Sequence, residues 1–159
     1  MIEDLPEVET IILPLGGGST ASGACVVAKA VDPSIQVLAV QSEAAPGGYL
    51  YWKRGEVVEA PVETFAEGLA TKVGYELPQS ILRQHLDDFV LVSDDEIRWA
   101  MGLLVEKAHT LAEGAGAVAL AGALKRRERL KGKKVVIVVS GANTTIPQLL
   151  QALKVYQGT

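Results

Sequence analysis

A chain of 159 residues, 48% apolar and 21% charged, falls in the globular range and is long enough to bury a core, so residues 1–159 are expected to form one domain. Its 15 basic against 19 acidic side chains leave a formal net charge of -4, which argues against a dominant role on nucleic acid or an acidic membrane surface. Cys25 is the single cysteine, so no internal disulfide can form, and no apolar run approaches the roughly 18 residues that span a bilayer.

The opening Met1-Ile2-Glu3-Asp4 is acidic and lacks the charged-then-apolar pattern of a secretory leader, so a reducing, cytoplasmic setting is expected. The first predicted strand, residues 11–15, runs straight into Gly16-Gly17-Gly18. Glycines there let the backbone turn with positive φ and approach a ligand closely. A helix is predicted over residues 19–30, and its free first-turn N–H groups and positive dipole end would meet the same point. Strand, glycine turn and helix start together make an anion site, most often for phosphate, although a bare βα turn has the same outline.

A second strand is predicted at residues 36–40. Residues 43–63 read as loop, carrying Pro46, Gly47, Gly48, Gly55 and Pro61 at the sheet edge where α/β ligands bind. A helix over 78–86 opens on Pro78, a residue tolerated in a first turn. A strand at 89–92 leads into a helix over 94–107, with Ser93 and Glu96 at capping-box spacing. Ile97, Ala100, Met101 and Leu104 recur there at helical spacing as a core-facing stripe. Next come a helix over 115–129, small and apolar first and basic last, a strand at 135–139, and a short amphipathic helix over 146–153. All four strand segments are short and rich in Val, Ile and Leu without polar alternation, as in strands covered on both faces. Strands separated by helices imply an α/β fold, a mostly parallel sheet of about four strands flanked by helices.

Further polar positions are open to two readings. Ser140, in Val139-Ser140-Gly141-Ala142-Asn143, follows the last strand and can donate its hydroxyl to a ligand ring nitrogen; the same segment suits an ordinary turn with Asn143 capping the next helix. Glu113 precedes a helix whose first turn is nearly bare of side chains, which suits close ligand approach or tight helix packing. The basic run from Lys125 to Lys134 ends a helix and complements its dipole, so it is expected to be a solvated face. His85 and His109 have no second ligand at metal spacing, so no metal site is expected. Trp52 and Trp99 are expected to be packing residues.

Taken in order, Leu15-Gly16-Gly17-Gly18-Ser19, Phe65-Ala66-Glu67-Gly68-Leu69-Ala70, the stretch Asp87 to Ile97, Leu111-Ala112-Glu113-Gly114-Ala115-Gly116-Ala117 and Val139-Ser140-Gly141-Ala142-Asn143 closely resemble the serine/threonine dehydratases. These are pyridoxal-phosphate enzymes of the tryptophan-synthase-β fold type, and the likeness runs the length of the chain. It implies that Gly16, Gly17, Gly18 and Ser19, with Thr20 opening the helix, hold the cofactor phosphate. It further implies that Ser140 hydrogen-bonds the pyridine nitrogen, and that Gly68 and Glu113 line the cofactor. A neutral hydroxyl on that nitrogen makes the ring a weaker electron sink than a carboxylate would, which favours elimination of a β-hydroxyl. The implied reaction is loss of water from L-threonine or L-serine to give a 2-oxo acid and ammonia.

The chain departs from the family pattern at Ser19, usually a fourth loop glycine, and at Ala142, where glycine is common. Gln41 stands about where cation-binding members carry an acid after the second strand, so that site is expected to be absent. By the same resemblance, the lysine that bonds covalently to the cofactor belongs to an N-terminal half that would precede this sequence. Catalytic residues are therefore expected to be absent, and the chain alone inactive unless a complementing half joins it. Uncovered apolar faces then point to a homodimer, with the helix of Trp99 and Met101 or the small-residue helix from Ala115 in the interface. Two other readings compete: a non-catalytic binding or interaction module, and a nicotinamide-dinucleotide domain. The latter rests on Gly16, Gly18 and Ala21 in a G-x-G-x-x-A pattern, with Glu43 where a ribose-binding acid would fall.

Overall fold

The computed structural model describes residues 1–158. Four strands, β1 (Thr10–Pro14), β2 (Gln36–Ser42), β3 (Asp88–Val92) and β4 (Val135–Ile137), form one sheet in the order β3-β2-β1-β4. All three pairings are parallel, with Ile12 opposite Leu38 and Ile137, and Val40 opposite Val90. The predicted α/β class holds.

Alternation along the strands divides the core into two layers. Ile11, Leu13, Val37, Ala39 and Phe89 face α1 (Ser19–Val31) and α3 (Glu76–His85), where Ala21, Cys25, Ala28 and Leu82 are buried. Ile12, Leu38, Val40, Val90 and Val92 face the other way, onto α4 (Asp94–Ala108) and α5 (Gly114–Lys125). The last helix, α7 (Ile146–Gln157), lies outside α4, where Gly102 leaves room for the Tyr156 ring. Ile97, Ala100, Met101 and Leu104 form the buried stripe of α4, and Ser93 and Glu96 make the full capping box.

Several expectations need correction. The segment read as loop contains a helix, α2 (Gly47–Arg54). Its glycines do not break it; they let it lie against other backbone, since a Cβ on Gly47 would come 2.8 Å from the Lys72 carbonyl and one on Gly48 2.6 Å from Leu15. The single helix expected over 115–129 is divided at Arg126 (φ -106, ψ 9) into α5 and a one-turn α6 (Arg127–Leu130). The basic run is also less free than a solvated face: Arg126 and Arg129 both reach Asp88 at 3.0 and 2.9 Å, and Lys125 reaches Glu96 at 3.0 Å. The helix after β4 is capped by Thr145 with Gln148, not by Asn143. Of the two helices expected at a dimer interface, α5 buries nine of its residues from Gly114 to Ala123 and leaves Leu120 and Leu124 partly open, and Met101 of α4 is buried too. Trp52 packs as expected, its ring 5.8 Å from that of Phe89, and Trp99 lies 5.3 Å from Tyr156.

No helix among the described residues is long and apolar enough to cross a membrane. The lone Cys25 sits on the sheet-facing side of α1 with no exposure. Burial, helped by the nearby Asp87 and opposed by Lys29, pushes its thiol up from 9.0 to about 11. The folded chain therefore keeps this proton where the unfolded chain has released it. Stability should fall between about pH 9 and pH 11 by up to about 3 kcal/mol, and Cys25→Ala should flatten that part of the urea-midpoint profile. At pH 8, iodoacetamide should label Cys25 only in denaturant.

Candidate functional site: a glycine cradle at the carboxyl edge of the sheet

Strand order places the site. The chain runs from β1 to β2 on one side, and β4 later returns to the opposite side of β1. The helix after β1 and the helices before β4 therefore lie on opposite faces, and a crevice opens beyond the carboxyl ends of the two strands. β1 delivers the glycine turn to that crevice. β4 delivers Ser140, with Val138 N–H still donating to the Ile12 carbonyl at 3.0 Å just before it.

Within the turn, the glycines meet different demands. Gly18 caps α1 in the left-handed region at φ 92, and a Cβ there would also come 2.9 Å from Pro78 Cβ. A Cβ on Gly16 would collide with the Gly68 carbonyl oxygen, so the turn and the 310 helix Glu67–Leu69 are in backbone contact. Gly17 is freer, with Tyr75 at 3.8 Å as its nearest neighbour. No side chain caps α1, so the amides of Ser19 and Thr20 have no intrahelical acceptor and face outward at the positive end of the helix dipole.

The opposite side comes from α5. Glu113 is its N-cap residue, and the Glu113 amide donates to the Gly141 carbonyl at 3.0 Å. Gly116, without a side chain, admits that carbonyl, and Gly141 in turn lies against the Glu113 carboxylate. The bare first turn of α5 thus serves close packing and also fixes Glu113 next to Ser140.

These elements enclose one open concavity of about 210 Å³. Gly16, Gly17, Gly18, Ser19, Thr20, Gly68, Glu113 and Ser140 all line it. Pro14, Leu69 and Ala115 complete the lining; the sequence reading did not single them out, since an apolar wall has no motif of its own. Glu113 carries the only formal charge in the lining. An anion here would be held by backbone amides and the helix dipole, without a cationic side chain. Among the described residues, no group of three or more His, Cys, Asp or Glu side chains is arranged to hold a metal ion.

An uncapped helix start behind glycines, at the carboxyl edge of a parallel sheet, is the geometry in which α/β proteins commonly seat anions. The comparisons agree with that class. Residues 1–141 match the family described as pyridoxal-phosphate dependent enzyme, and the chain belongs to that family. It is 40% identical over 148 residues to an L-threonine ammonia-lyase of Thermotoga maritima, covering 92% of this chain and 36% of the relative. It is 36% identical over 154 residues to the catabolic L-threonine dehydratase TdcB of Escherichia coli K12, covering 95% of this chain and 47% of the relative. Among solved structures, the processed threonine deaminase isoform 2 of Solanum lycopersicum superposes with a TM-score of 0.91 at 27% identity, over 97% of this chain and 46% of that one. A serine racemase of Dictyostelium discoideum gives 0.83 at 35% identity, over 91% and 47%. This chain thus spans less than half the length of each of these relatives.

The dinucleotide reading loses its footing here. Gly16, Gly18 and Ala21 all lie within the segment that matches the pyridoxal-phosphate dependent family.

Gly16→Ala should lower folding stability by about 1–3 kcal/mol, because its Cβ meets backbone that cannot rotate away. Gly17→Ala should stay within about 0.5 kcal/mol of the parent. Urea melts of the two variants check the contrast.

Proposed function

We propose that this chain is the cofactor-phosphate-binding portion of a threonine/serine ammonia-lyase, and that Gly16 to Thr20 hold the phosphate of pyridoxal phosphate. The observation that carries the proposal is the meeting of Gly16, Gly17, Gly18, Ser19, Thr20, Gly68, Glu113 and Ser140 around one concavity of about 210 Å³. The cradle suits a phosphate dianion: the glycines admit it to the backbone, and the α1 dipole favours negative charge.

When bound, pyridoxal phosphate supplies an electron sink through which an amino acid loses its α-proton and expels a β-hydroxyl. The residues of this chain bind and orient. Ser140, exposed at the end of β4, would donate its hydroxyl hydrogen to the pyridine nitrogen and keep that nitrogen unprotonated. Glu113, held by its amide bond to Gly141, would stand beside the same ring edge. Gly68, bearing no side chain, leaves the middle of the cleft open to the ring.

The covalent step needs a lysine, and no lysine of this chain lines the concavity. The chain alone is therefore inactive in this proposal, and activity requires a polypeptide that brings the remainder of the family's site. The edge strand β4 is only half-buried, and on α1 Val26, Val27 and Val31 are 49, 56 and 60% exposed. These surfaces suit a complementing half or, without one, a second copy of the chain. A reducing, cytoplasmic setting fits the free thiol of Cys25.

Titration with pyridoxal phosphate should shift the amide resonances of Gly16 to Thr20 first, and more strongly than NAD does. A response confined to other residues, or a stronger one to NAD, would overturn the proposal. Threonine dehydratase assays on the chain alone should read zero, and borohydride should fix no cofactor to any lysine. Sedimentation at micromolar concentration should give a dimer; one folded species at the 16.8 kDa monomer mass would remove the self-association part.

A further inference from the structure

Asp94 follows the N-cap of α4, in a first turn that also holds Asp95 and Glu96. Its carboxylate turns inward. One oxygen accepts from Ser42 Oγ at 2.9 Å and from Thr64 Oγ1 at 2.7 Å, and the other accepts the Phe65 amide at 3.1 Å. Ser42 is the last residue of β2 and has no exposure. Thr64 and Phe65 begin the segment that carries Gly68 into the wall of the cradle.

Two of these partners pass the constraint on. Thr64 Oγ1 accepts the Ala66 amide at 3.1 Å, and the Ala66 carbonyl accepts the Leu69 amide at 2.8 Å. Leu69 is fully buried, and its neighbour Gly68 meets Gly16 backbone to backbone. Arg98, one turn further along α4, covers the Phe65 ring at 4.3 Å. Three donors thus converge on one carboxylate, and hydroxyl and amide donors bond a carboxylate more strongly than a neutral acceptor.

We propose that Asp94 is the positioning residue of the cradle. It fixes the wall segment 64–69 to the end of β2, and so sets Gly68 against Gly16, without itself lining the concavity. This rests on the proposed phosphate site for its consequence, but not for the geometry. Removal of the carboxylate frees the wall and lets the gap between Gly16 and Gly68 vary, so an anion loses its preorganised seat.

The test compares the parent chain with Asp94→Ala, Asp94→Asn and Thr64→Val, using amide hydrogen exchange and titrations with pyridoxal phosphate and inorganic phosphate. Without ligand, exchange at Ala66 and Leu69 should rise about tenfold or more in Asp94→Ala while the amides of β1 and α1 keep their protection. Asparagine retains one acceptor oxygen for Ser42 and Thr64, so Asp94→Asn should recover most of the protection at Ala66. Thr64→Val, a near-isosteric change, reports on the same link if Asp94→Ala does not fold. Pyridoxal phosphate affinity should fall about tenfold in Asp94→Ala and less in Asp94→Asn. Unchanged exchange at Ala66 and Leu69 in the variants would overturn the positioning role. So would looser exchange with unaltered affinity for both probes. If the parent chain binds neither probe, the phosphate-site proposal fails, and the exchange comparison alone decides whether Asp94 holds the wall.

Discussion

Everything in the site follows from the reversal of strand order at β1. In a parallel sheet, each connection must cross one face, and apolar strands need helices on both. Here α1 and α3 cover one face and α4 and α5 the other, so the segments leaving β1 and β4 separate at their carboxyl ends. The gap is lined by glycines, the two hydroxyl-bearing residues of the α1 start, Ser140 and Glu113, with Pro14, Leu69 and Ala115 as its apolar part. The same topology that buries Ile12 and Val40 also makes the cleft.

No lysine or arginine lines the cleft. Backbone amides do not titrate, and where side chains are missing a ligand can come close to them. That closeness depends on absent Cβ atoms: at Gly16 the backbone of Gly68 occupies the space, and at Gly18 the positive φ adds a second demand for glycine. Packing flanks the cleft on two sides: α5 lies on the sheet, and Asp94 ties Thr64 and Phe65 to the end of β2.

Much of this was legible in the sequence, for identifiable reasons. Buried strands announce themselves as short Val, Ile and Leu runs, and the four predicted segments coincide with β1 to β4 to within two residues at each end. The glycine turn, Glu113 and Ser140 stood out from local residue pattern, and the resemblance joined them into one set. What escaped were tertiary effects. α2 was missed because Gly47 and Gly48 count as breakers locally, whereas the fold uses them to press a helix against Leu15 and Lys72. The break at Arg126 was hidden in a run with high helix propensity, and the pull of Asp88 on Arg126 and Arg129 is a contact across about forty residues of sequence. Nothing in the sequence around Asp94 reveals that Ser42, Thr64 and Phe65 converge on it.

The central claim is that the β1–β4 crevice holds a phosphate through backbone amides alone. A crystal structure of the chain grown with pyridoxal phosphate tests it most directly. The phosphate should lie within hydrogen-bonding distance of amides in the segment Gly16 to Thr20, with no lysine or arginine in contact and the pyridine nitrogen directed at Ser140. Cofactor density bound to a surface lysine, or seated away from the glycine turn, would contradict it.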